Sequence, residues 1–138
     1  MTINISTNSR NKAGKAIVDL IDGGEIQDAG YIEIRTGDKP ESPHVPVSGI
    51  LLATCEFSQI GFGEFSNGVS IANPISQDTN IADTGVANWF RVYDRDGIAI
   101  FDGDVGLTGT NKDIEFDNIN FVKGGTVAIT DLIAIMPQ

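Results

Sequence analysis

Val86-Ala87-Asn88-Trp89-Phe90-Arg91-Val92-Tyr93, Asp94-Arg95-Asp96-Gly97 and Ile98-Ala99-Ile100-Phe101 follow one another in the second half of the chain, and their reading decides the fold. The outer two segments are rich in aromatic and β-branched residues, which fit a pleated surface, and the middle one is a turn closed by glycine. Together they predict a β-hairpin. Val86, Phe90 and Val92 fall on one side of the first strand, and Ala87, Trp89, Arg91 and Tyr93 on the other. With both faces carrying large apolar groups, this strand is expected to lie centrally in a sandwich.

Working outward, the period of two recurs. Tyr31-Ile32-Glu33-Ile34-Arg35-Thr36 puts Ile32 and Ile34 on one face. Residues 50–57 form a second strand with Cys55 turned inward, and Val69-Ser70-Ile71-Ala72 a third. After the hairpin, Asp102-Gly103-Asp104-Val105-Gly106 reads as a turn. Ile114 with Phe116 and Ile119 with Phe121 mark brief strands. Residues 126–135 read as a final strand whose Val127, Ile129, Ile133 and Ile135 make an inward stripe. Short strands separated by turn residues predict a mainly β fold, an antiparallel β-sandwich of jelly-roll-like type with one short N-terminal helix.

That helix is predicted from Ala13, Ala16, Ile17, Leu20 and Ile21, one apolar stripe at the helical period. Ser6, Thr7 and Ser9 are candidate N-caps, and Gly23-Gly24 stops the element. At 138 residues the chain is sized for one domain. The expected organisation is therefore a single β-sandwich domain over 1–138, with 1–24 as an N-terminal helical arm. Between the first two strands, Pro40, Pro43 and Pro46 interrupt any ladder, so residues 36–49 are expected to be an extended surface loop.

Nineteen acidic and nine basic residues give a net charge of −10, a sign that disfavours nucleic acid and anionic lipid as direct partners. No apolar run approaches the length of a membrane span, and the first residues lack the pattern of a secretory leader. A soluble protein made in a cytoplasm is expected. The excess charge is uneven, since residues 1–40 carry five basic and six acidic side chains and the remaining acids fall in the body.

No active site is legible. His44, the sole histidine, stands between Pro43 and Val45 in the loop, a poor place to fix a catalytic imidazole. One histidine and one cysteine are too few for a structural zinc site. Cys55 reads as a small buried hydrophobe. Asp94, Asp96, Asp102 and Asp104 lack the spacing of a calcium loop and suit turns instead. Gly61-Phe62-Gly63 and Gly103-Asp104-Val105-Gly106 open no helix and carry no lysine, so they are not phosphate loops. Phe62 and Phe65 are expected in the core. Trp89, Tyr31 and Tyr93 make a sugar platform conceivable, but sheet packing with Arg91 over a ring is the simpler expectation. The reading is of a non-enzyme that needs no cofactor or metal.

The order of segments carries a resemblance. An N-terminal Ser9-Arg10-Asn11 helix is followed by Asp28-Ala29-Gly30, Ile34-Arg35-Thr36-Gly37-Asp38-Lys39-Pro40 and Gly49-Ile50-Leu51-Leu52-Ala53. Then come Asp83-Thr84-Gly85-Val86-Ala87-Asn88-Trp89-Phe90-Arg91-Val92, Phe101-Asp102-Gly103-Asp104-Val105-Gly106 and a closing Gly125-Thr126-Val127 strand ending in Met136-Pro137. This order resembles small structural proteins of tailed bacteriophages and prophages. The resemblance implies a virion component, foremost a capsid decoration (cement) protein on the capsid surface that stabilises the assembled shell. Its implied partners are the major capsid protein and its own copies in a homotrimer. Tail, baseplate or fibre association is the alternative within virions, and a carbohydrate-binding module acting in host recognition is a separate class of alternative. Partner contacts are expected at Arg10, Lys12 and Lys15 and at Pro40, Pro43, His44 and Pro46.

Overall fold

The computed structural model describes residues 3–137. Among these residues one helix, α1 (Thr7–Asp19), runs into a single 3-10 turn (Leu20–Asp22) and is followed by nine strands. These are β1 (Tyr31–Arg35), β2 (Leu51–Glu56), β3 (Val69–Ile71), β4 (Gly85–Val86), β5 (Trp89–Tyr93), β6 (Ala99–Leu107), β7 (Ile114–Phe116), β8 (Asn120–Phe121) and β9 (Ile133–Ile135). The fold is mainly β with one short helix. The strands form one curled five-stranded sheet, ordered β2-β1-β5-β6-β7, and two small ribbons, β3-β9 and β4-β8. As the sequence suggests, β5 is central, flanked by β1 and β6.

The hairpin forms at the expected turn, where the Asp94 carboxylate accepts the N–H groups of Asp96 and Ile98, both at 2.9 Å. Beyond it the expectation fails. Residues 102–106 are not a turn; β6 runs straight through them, because Asp102, Gly103 and Asp104 sit opposite Arg91, Phe90 and Trp89. Gly103 has a packing reason to lack a side chain: an added Cβ would lie 2.3 Å from the Phe90 ring.

The sheet is not wholly antiparallel either. β6 and β7 are parallel neighbours, Val105 opposite Ile114, although parallel partners usually need a crossover of a dozen or more residues. The short 108–113 loop turns with Asn111 and Gly109 at positive φ. It is held by Glu115, whose carboxylate accepts the N–H groups of Lys112 (3.0 Å) and Gly109 (3.3 Å).

α1 is capped by Ser6, whose hydroxyl accepts the Ser9 N–H at 3.1 Å. Its buried face differs from the expected stripe. Gly14, Val18 and Ile21 point inward, while Ala13, Ala16, Ile17 and Leu20 remain exposed. Gly14 sets this rotation, since its bare backbone lets the helix settle against the Phe65 ring and Met136. Segment 1–24, expected as an arm, thus has its helix seated in the main core, where Val18 and Ile21 pack with Ile32, Ile34, Phe90 and Val92.

The last expected strand shrinks to β9. Val127 and Ile129 are buried, but the phase then reverses, so Leu132 is buried while Ile133 and Ile135 are exposed. Asp78 exchanges N–H and C=O bonds of 2.9 Å with Val127 before this reversal. Phe62 and Phe65 are core residues, as expected. Cys55 is fully buried, and burial pushes its thiol up to about 11.

Candidate functional site

Two surfaces are built by these elements, one on each side of the five-stranded sheet. The first is the face carrying Tyr31, Glu33, Arg35, Trp89, Arg91, Tyr93 and Asp102. Strand pairing sets Glu33, Arg91 and Asp102 in one row and Arg35, Trp89 and Asp104 in the next. Arg91 holds Asp102 through two bonds, Nε to Oδ1 at 2.6 Å and Nη2 to Oδ2 at 3.0 Å, and its remaining donors reach the carbonyls of Val45 (2.9 Å) and Ser42 (3.3 Å). Asp102 in turn keeps the guanidinium charged, raising its already high pKa.

The proline-rich loop lies over this face. Two carbonyls at the start of the loop find side-chain donors from the sheet side: Trp89 Nε1–H donates to Thr36 O at 3.0 Å, and Asn88 Nδ2–H to Gly37 O. Lys39 adds an ion pair to Asp104 at 3.2 Å. Paired in this way, the loop's backbone satisfies groups that burial would otherwise penalise. Within the loop Pro40 and Pro43 are half-buried, whereas His44 and Pro46 face solvent.

Trp89 is fully buried, with the Arg91 guanidinium 5.4 Å from its ring centre. It offers no platform to a sugar; the expected sheet packing is what the structure contains. Tyr31 and Tyr93 stack at 4.9 Å near the sheet's open end. Desolvation, reinforced by Glu33, pushes the Tyr93 hydroxyl up to about 12.

The aspartates of the hairpin are each engaged separately. Asp94 caps the turn, Asp96 accepts the N–H groups of Glu25 and Ile26, Asp102 binds Arg91, and Asp104 binds Lys39. Among the described residues no group of histidine, cysteine and carboxylate side chains is arranged to hold a metal ion, and no helix is long and apolar enough to cross a membrane.

The second surface lies on the helix side. Arg10 is half-buried and donates from Nη2 to Met136 O at 2.9 Å, while Asn11 Oδ1 accepts the Gly68 N–H at 2.7 Å. Lys15 pairs with Asp19 one turn further on, and Lys12 is exposed. The two groups of expected contact residues therefore lie on opposite faces of the sheet, for α1 packs on the Phe90 side and the loop on the Arg91 side.

Sequence reading missed the most apolar exposed surface. Ile71, Ile133 and Ile135, at 61%, 50% and 67% exposure, share the outer face of the β3-β9 ribbon, where Ile71 stands opposite Ile133. Both parities of Leu132-Ile133-Ala134-Ile135 are apolar, so alternation alone does not say which set faces out. Beside β9 runs a cavity of about 230 Å³, whose floor includes Phe65, Phe90 and Leu132 and whose wall is Gly14 and Ile17 of α1.

Compared with models of known protein families, with curated proteins and with solved structures, the chain matches none.

Proposed function

We propose that the chain is a virion structural protein of a tailed phage, a capsid decoration protein that binds the assembled major capsid shell and stabilises it. The observation that carries this reading is the exposed aliphatic face of Ile71, Ile133 and Ile135, with the half-exposed Ile17 of the helix across the adjoining groove. Contiguous apolar surface of this kind serves protein contact. The acidic body keeps so adhesive a molecule soluble before it docks. In this reading the two ribbons act as the second layer of a jelly-roll-like sandwich, with the loop bearing His44 and Pro46 presented as a separate, pinned surface.

A decoration protein stabilises by binding the assembled state and not free subunits, so its effect is a mass-action term repeated at many sites. The test is saturable binding to empty, expanded capsids with a raised shell melting temperature. Hundreds of copies per purified virion are expected; a handful would assign the chain to tail, baseplate or fibre, and none would remove it from virions.

A further inference from the structure

The β3-β9 ribbon has one covered and one bare edge. Met136 N–H bonds Gly68 O at 2.8 Å and Ala72 N–H bonds Leu132 O at 2.9 Å. With Ser70 opposite Ala134, this parity turns the backbone groups of Ile133 and Ile135 away from β3. Among the described residues no strand pairs with them there. Across the groove stands β6, which has β5 on its far side and meets β7 only from Val105 onward; there the backbone of Asp102 turns to the groove, while the Asp104 N–H is taken by the Asp113 carboxylate at 2.8 Å. Neither Ile133 nor Ile135 is guarded by a charge or a proline within the strand, the usual protection of an edge.

The chain also holds a segment of matching form. Residues 3–6 precede the helix outside any helix or strand, with Ser6 in extended conformation; Ile3 and Ile5 alternate with Asn4, and these two isoleucines are 79% and 51% exposed in their own copy. Charge matches as well. Residues 3–18 contain Arg10, Lys12 and Lys15 and no carboxylate, in a chain of net charge −10. The cleft continuing the groove past β9 is rimmed by Asp113, Glu115 and Asp131 against the single Lys112.

From these we infer that copies of the chain assemble by arm exchange: residues 3–6 of one copy enter the groove of the next as an added strand between β6 and β9. Ile3 and Ile5 then face Phe65, Phe90 and Leu132, and the backbone of Ile133 and Ile135 gains its missing partners. Lys12 lies six residues beyond Ser6, roughly 9 Å along the helix, which brings it to the acidic rim. The groove is smaller than the about 300–1,000 Å³ of a small-molecule pocket and suits short aliphatic side chains. Arm exchange of this kind closes into a ring when the rotation between copies permits it.

The test uses the full chain in solution. Sedimentation or light scattering should give a closed oligomer, which Ile5→Asp shifts to monomer by weakening association about tenfold or more while leaving the monomer folded by circular dichroism. Higher salt should weaken it too. Mixing singly substituted Ile5→Cys and Ala134→Cys proteins should give a disulfide joining the two chains, since Ala134 shares the inward face of β9 with Leu132, and mixing Ile5→Cys with Ile98→Cys should not. A monomer at all concentrations, or an oligomer indifferent to Ile5→Asp and lacking the selective crosslink, overturns the inference. Capsid binding is scored separately: a monomer that still decorates capsids sinks arm exchange alone, and an arm-exchanged oligomer that ignores capsids sinks the decoration reading alone.

Discussion

Arg91 and Asp102 stand directly opposite one another on β5 and β6, and their two-pronged ion pair, with side chains only 4% and 6% exposed, is the point at which the proline-rich loop is fastened to the sheet. Removing one partner of a buried pair leaves the other charge uncompensated, at a cost of about 3 kcal/mol or more. Asp102→Ala should therefore destabilise the protein by that order in denaturant titrations. Since Trp89 is the sole tryptophan and lies under the same loop, its emission should shift to the red in the native variant, and proteases should cut between residues 38 and 48. Arg91→Lys should repair little, because an ammonium lacks the planar fork that reaches carboxylate and carbonyls together.

At Gly14, propensity and packing oppose one another. Alanine in a helix interior gains about 1 kcal/mol over glycine, but its Cβ here would lie 2.4 Å from the Phe65 ring and 2.8 Å from Met136. Overpacking of a buried ring costs about 1–3 kcal/mol, so Gly14→Ala should be a net loss of roughly 1 kcal/mol. A rise in melting temperature would show that α1 is less tightly seated than its contacts indicate.

Acid should loosen two loops before the core. Backbone N–H groups of Glu25 and Ile26 hold Asp96 below its ordinary 3.8, and those of Lys112 and Gly109 hold Glu115 below its ordinary 4.5. A carboxylate whose folded pKa is depressed contributes stability that is present above its unfolded pKa and lost as pH falls through the folded one. Stability measured from pH 6 downward should accordingly decline below about 4.5, and Asp96→Asn with Glu115→Gln should flatten that decline while lowering stability at pH 6.

Cys55 should be inert while the fold holds. Its thiol is fully buried and raised to about 11, so at pH 8 almost no thiolate is present and no reagent reaches it. Labelling should be slow in the native protein and accelerate in step with unfolding as denaturant is added. Cys55→Ser, which puts a more strongly polar hydroxyl into a fully buried site, should cost about 1–3 kcal/mol.

Local patterns legible in the sequence were those in which one neighbour in the chain decides the outcome. The 89–101 hairpin, the Ile32 and Ile34 face, the Ser6 cap and the stop at Gly23-Gly24 all rest on alternation, turn chemistry or capping. Of the contact residues expected from sequence, Arg10 is tied to Met136 O, Lys15 is half-buried and paired with Asp19, and Pro40 and Pro43 sit half-buried, leaving Lys12, His44 and Pro46 fully on the surface. The loop's fastening was hidden because its carbonyls meet Trp89 and Arg91 some fifty positions away, and no local signal marks such a meeting.

The sequence by itself determined a β-rich chain with one short helix, a central aromatic strand, an acidic body and a buried thiol, since composition and period fix which residues seek the interior. Tertiary structure alone decided the rest. The rotation of α1 follows from the fit of Gly14 against Phe65, the continuation of β6 from the room Gly103 leaves for Phe90, and the parallel seat of β7 from the grip of Glu115 on its loop. The outward turn of Ile133 and Ile135 belongs with these: where both parities of a segment are apolar, hydrophobicity is indifferent to the choice, and only pairing with a distant strand makes it.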